Sequence, residues 1–160
     1  MNLSERTYLW YLAVLRVYVG YFMLLEGIRK FQHDFPKGDW IGRQIGDIAT
    51  LEIYPWYKKL LLQYVAPHHE LFGYLVMIGE IAVGACLLVG LLSRFSALVG
   101  LFMLINYYLA LGMVRGGTLR ALQEVFIIAL AIFVLAQPGR TLGLDGLLFR
   151  GGGGKGKVAR

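Results

Sequence analysis

The stretch LFGYLVMIGEIAVGACLLVGLL, residues 71–92, carries a single charge, Glu80, in 22 positions. An α-helix rises about 1.5 Å per residue, so about 20 apolar residues cover the roughly 30 Å of a bilayer's hydrocarbon. This stretch therefore predicts a membrane-spanning helix. Three others match it in length, residues 8–29, 95–114 and 119–136. Over the whole chain 58% of residues are hydrophobic and 16% charged, with a mean hydropathy of +0.60. Soluble chains carry about a quarter charged residues, so the composition excludes a cytosolic enzyme and a disordered tail protein. The expected fold is an all-α membrane protein, a four-helix antiparallel bundle. The first apolar run is too long for the core of a cleaved signal peptide and has no small-x-small site after it. Cys86 is the one cysteine, which excludes an internal disulfide, a CxxC redox pair and a cysteine zinc site.

The second and third runs are joined by little more than Ser93 and Arg94, the third and fourth by Arg115 to Thr118. Connections this short force antiparallel neighbours and put both termini on one side. Residues 30–70 hold Trp40, Trp56, Tyr57 and Tyr64 and a short amphipathic pattern over Ile41 to Leu51, which predicts a cap lying on the membrane surface. Residues 1–148 thus read as one domain, and 149–160, GGGGKGKVAR and its flank, as a flexible basic tail. Lys and Arg beside the spans number seven on the terminal side and eight on the other. The tail cluster is the less neutralised patch, so the expectation is a prokaryotic-type cytoplasmic membrane with cytoplasmic termini. The pI near 9.5 answers anionic lipid and calls for no nucleic acid.

Ionisable groups inside spans are costly and mark candidate sites. Arg16, Glu80 and Asn106 each fall about eight to eleven residues into their runs, which predicts one shared level near the bilayer middle. Ala13, Arg16, Gly20, Met23, Gly27 and Lys30 share one side of the first helix; Gly73, Met77, Glu80, Gly84 and Leu87 share one side of the second. Small residues mark close helix contacts in membranes, so both charges are expected to face inward and to meet. A buried ion pair with Asn106 as hydrogen-bonding glue is one reading. A cavity in which Arg16 holds a carbonyl or anion and Glu80 handles protons is the other. Glu26 and Glu124 form a second level nearer the loop side, where Glu124 is also four residues from a simple helix partner, Arg120. Tyr107 and Tyr108 could stack on a ring ligand. His68 and His69 are adjacent and no histidine lies inside a span, so neither a metal site nor a bis-histidine haem is expected. Nucleotide-loop, metalloprotease and serine-hydrolase motifs do not occur.

Gly27-Ile-Arg-Lys30, Gly79-Glu-Ile-Ala-Val-Gly84, Gly90-Leu-Leu-Ser-Arg94, Asn106-Tyr-Tyr-Leu-Ala110 and Gly139-Arg-Thr-Leu-Gly-Leu-Asp145 follow one another through the chain. In this order and spacing they resemble the DoxX/DoxD family, and the long Trp- and Tyr-rich loop resembles that of DoxD-like thiosulfate:quinone oxidoreductase membrane subunits. The resemblance runs from Arg16 to Leu148. It implies a membrane bundle working with the quinone pool and often with a second redox subunit, its polar positions carried here by Arg16, Lys30, Glu80, Arg94 and Asn106.

Two functions follow as expectations. In the first, electrons pass from a sulfur anion such as thiosulfate to membrane quinone. Arg16 and Glu80 would serve the chemistry, Asn106, Tyr107, Glu26 and Glu124 the quinone, and Arg29 and Lys30 the anion, since a ring acceptor needs donors and a proton source and a dianion needs cations. In the second, the chain is a non-catalytic anchor or scaffold for a soluble redox partner. The expected partners are the lipid bilayer, quinone, a second redox subunit and further copies of the chain.

Overall fold

The computed structural model describes residues 3–35, 46, 50, 52–112, 117–136, 138 and 143–148, and every element among them is helical. Helix α1 is Leu3–Gln32, α2 Pro55–Leu60, α3 His69–Val89, α4 Ser93–Tyr107, α5 Gly117–Ala136 and α6 Leu144–Leu148. A π-helical turn, Leu61–Val65, and a 3₁₀ turn, Ala66–His68, link α2 to α3; a second π-turn, Tyr108–Gly112, extends α4. Trp10–Gln32, Pro55–Val89 and Ser93–Ala110 are the helical stretches among the described residues found long and apolar enough to cross a bilayer.

Local chemistry sets the helix ends. Arg29 and Lys30 occupy the last turn of α1, where their charges oppose the negative end of the helix dipole. Pro55 opens α2, where its missing N–H would have had no intrahelical partner. Pro67 cannot donate a backbone bond, and the helix is interrupted there; His68 leaves the helical basin at φ −120°, ψ 33° before α3 begins. Gly90 ends α3 at φ 70°, the left-handed cap that glycine adopts without steric cost.

The α1–α3 interface is the closest in the bundle, and the predicted inward faces form it. A Cβ on Gly84 would lie 2.4 Å from Leu24 N and 2.7 Å from Leu24 Cα; one on Gly20 would lie 2.7 Å from Leu88 N. These neighbours are backbone atoms, so they cannot swing aside. Gly84→Ala should therefore force the helices apart and destabilise the protein by about 1–3 kcal/mol, read as a lower midpoint of detergent-solubilised protein; an unchanged midpoint would contradict the contact. The remaining core joins α4 and α5 to this pair through Val19, Leu87, Ala97, Leu130 and Phe133, all essentially without exposure.

The surface cap expected of the linker between α1 and α3 falls only partly within the described residues. Its amphipathic stretch over Ile41 to Leu51 lies outside the described residues apart from 46 and 50, as does the tail 149–160. In the described part Ile53, Tyr57 and Leu61 are buried against Leu109 and Ala110, while Tyr54, Trp56 and Tyr64 stay exposed. Tyr57 lies about three helical turns before α3 starts and Glu80 about three turns after, yet they bond to consecutive residues, Asn106 and Tyr107. The chain therefore doubles back at Ala66–His68, and 55–65 returns alongside the end of α4.

Candidate functional site

Glu80 sits on the inner face of α3 with Gly73, Met77, Gly84 and Leu87, all buried as their spacing predicts. A Cβ on Gly27 would come within 3.2 Å of Glu80 Cβ and 2.9 Å of Ile81 N, so a glycine there lets α1 close onto α3 beside the carboxylate. One turn further along α1, the Lys30 ammonium bonds both Glu80 oxygens. From α4, Tyr107 Oη donates to Glu80 Oε1 at 2.8 Å. The Glu80 side chain is 4% exposed and that of Lys30 20%. The pair is thus sealed at the carboxylate and reaches the surface at the ammonium. Lys30 Nζ also stands 5.4 Å from the Tyr107 ring centre and 5.6 Å from that of Phe35, a cation held between aromatic walls.

A second network adjoins the first through one peptide bond. Tyr57 Oη is 3.0 Å from the Asn106 carbonyl oxygen and 3.1 Å from Asn106 Oδ1, and Asn106 Nδ2 donates to the Phe102 carbonyl at 2.8 Å. Asn106 therefore ties the returning segment to α4, and Tyr107 ties α4 to α3.

Arg16 does not join Glu80, contrary to the shared level expected of them. It is 1% exposed and lies against Gly90, where a Cβ would stand 1.9 Å from its Nη1. Gly90 is ten residues past Glu80, about 15 Å along the α3 axis. The reason is the register set by the glycines: Gly20 packs on 84–88 and Gly27 on 80–81, so Arg16 falls opposite the α3–α4 turn. There it lies within electrostatic reach of Asp145. The Asp145 carboxylate accepts from Leu92 N at 2.6 Å and Ser93 N at 2.8 Å, and its own N–H donates to the Gly90 carbonyl at 2.9 Å. Leu92, at φ 47°, is held in a conformation that L-residues adopt at a cost. Arg16, the motif Gly90–Arg94 and Asp145 at the end of another motif thus build one structural knot. Arg94 itself is exposed.

The second polar level also resolves into local pairs. Arg29 bonds Glu26 at 2.6 Å, with side chains 63% and 34% exposed. Arg120 bonds Glu124 at 2.9 Å, both 46% exposed, with Tyr108 Oη 3.2 Å from the same oxygen. None of these four charges is bonded to the Glu80 cluster among the described residues. Nor do three His, Cys, Asp or Glu side chains come together there as a metal site. Sequence reading misses Tyr57 as a site residue, although Ile53, Tyr57 and Leu61 recur at helical spacing around Pro55, the signal of a buried helix face.

The family profile described as DoxX matches residues 11–113. The chain belongs to the DoxX family. The DoxX match covers Lys30, Glu80, Asn106 and Tyr107, the residues that the fold brings together, and with them Arg16 and Gly90. Its family and its apolar helices make this DoxX chain an integral membrane protein in contact with the lipid bilayer. No curated protein and no solved structure matches it.

Proposed function

We propose that this protein is the membrane subunit of a quinone-linked oxidoreductase, taking electrons from a sulfur compound such as thiosulfate and passing them to membrane quinone. In this reading α5, 20 residues long, crosses the bilayer as a fourth span beside α1, α3 and α4, and the termini face the cytoplasm.

One observation carries the proposal: a carboxylate enclosed in an apolar bundle, held by Lys30 and Tyr107, with Lys30 leading to the surface. Two thiosulfate anions that join through a sulfur–sulfur bond release two electrons and no proton. Reduction of a quinone to a quinol takes two electrons and two protons. The protons must come from water, and a group that carries them into hydrocarbon has to be titratable and buried. Glu80 meets both conditions. Asn106, whose Nδ2 keeps a second hydrogen beyond its bond to Phe102, offers a donor of the kind a ring carbonyl needs, and Tyr107, its hydroxyl hydrogen given to Glu80, offers its ring beside it. Lys30 takes the role of fixed cation that sequence reading gave to Arg16, whose place in the knot beside Asp145 makes it a positioning residue. Lys59, exposed on α2, is available to attract the anion.

Glu80→Gln keeps the shape and removes the titratable proton. In membranes supplied with thiosulfate and a quinone analogue, the variant should lose at least 100-fold in quinone reduction, within the range of general acid–base contributions, while still binding the analogue. Full activity in a stably folded variant would remove Glu80 from the proton path. No activity in the wild type, with its soluble partner present, would favour the anchor or scaffold function.

A further inference from the structure

Gln123 carries the only buried side-chain oxygen with no hydrogen-bond partner on the described part of α5. Leaving such an atom unmade costs about 1–3 kcal/mol, so a ligand that satisfies it recovers that cost. The neighbouring Glu124 points instead to the exposed cluster with Arg120 and Tyr108.

Helical spacing fixes where Gln123 stands. It lies three residues before Phe126 and seven before Leu130, both buried in the core, hence on the inner face of α5. Phe126 packs on Phe22 with ring centres 4.7 Å apart. One turn from Phe22 toward the linker end of α1 come Glu26 and Gly27, followed by Lys30. Gly27 packs on Glu80 and Ile81 of α3, and Glu80 holds the Tyr107 hydroxyl of α4. Gln123, Tyr107, Glu80 and the Gly27–Lys30 turn therefore occupy one layer, contributed by four different helices.

The charges of that layer cancel, Lys30 against Glu80, so an ionic ligand would bring an uncompensated charge into it. A sulfur anion does not suit this layer; a neutral ring does. We propose that the Gln123 amide is a second contact for the headgroup of a quinone and its quinol, across the layer from Glu80 and Tyr107. An amide accepts from a hydroxyl at its oxygen and donates to a carbonyl at its nitrogen, the two forms such a ring oxygen takes in the reduced and oxidised ligand. This inference rests on the quinone-linked function proposed above.

The test is equilibrium binding of a short-chain ubiquinone analogue and of its quinol to detergent-solubilised protein, by intrinsic tryptophan fluorescence, for wild type, Gln123→Leu and Gln123→Met. Both variants should bind about tenfold more weakly, with the larger loss for the quinol, because the buried oxygen is an acceptor. Their thermal midpoints should equal or exceed that of the wild type, since an unpartnered polar atom has been removed. A purely structural glutamine would show the reverse, a lower midpoint with unchanged affinity, and that result overturns the proposal. Equal affinity in wild type and variants overturns it while leaving the quinone function standing. No binding of either form by the wild type overturns both.

Discussion

Lys30→Met should destabilise the protein by about 3–5 kcal/mol, because it leaves the Glu80 carboxylate buried without its cation. Glu80→Gln should cost less. Lys30 keeps a fifth of its side chain exposed, and a lysine stem can carry an orphaned ammonium toward water, whereas Glu80 has nowhere to turn. The double variant should be more stable than Lys30→Met alone. Thermal unfolding of the four proteins in detergent closes the cycle, and strictly additive costs would show that the two side chains do not interact. The corresponding cycle for Arg16 and Glu80 should be additive, since about 15 Å of α3 separates their levels.

Asp145→Ala should cost about 3 kcal/mol or more at the opposite end of the bundle. It removes the acceptor of two backbone N–H groups at the start of α4, a capping interaction worth about 1 kcal/mol. It also withdraws an opposing charge from the buried Arg16 guanidinium, the larger part of the expected loss. Asp145→Asn keeps one acceptor oxygen and should fall between the two. A midpoint within one degree of the wild type for Asp145→Ala would mean that the turn holds itself closed without the clasp.

The inward faces of α1 and α3 were legible in the sequence because small residues and charges recur there at helical spacing. Ala13, Arg16, Gly20, Met23 and Gly27 are all buried, as are Gly73, Met77, Glu80, Gly84 and Leu87. The separation of Arg16 from Glu80 was not legible. Its level against α3 follows from the register of α1, which is set by glycine contacts that hydropathy does not encode. Sequence reading gives Lys30 to anion binding as a cation near the surface, although it shares the inner side of α1; its reach to Glu80 depends on the close approach at Gly27. Glu26 and Glu124 have the composition of site residues, but each is held by an arginine one turn away, Glu26 partly exposed and Glu124 more so. The return of 55–65 against α4 needs tertiary structure, since Pro67 signals a break without giving its direction.

The clasp at Asp145 also bears on the order in which the chain is made. The α3–α4 turn is complete in sequence by Ser93, but the carboxylate that holds its two backbone donors lies 52 residues later. A ribosome delivers the helices from the amino end, so α1, α3 and α4 enter the bilayer with this turn unfastened. Leu92 is free to leave its strained conformation during that interval, and the guanidinium of Arg16 has yet to meet its carboxylate. Chains halted before Asp145 would carry α1 to α5 and still lack the fastening, so this bundle locks only once Asp145 has been delivered.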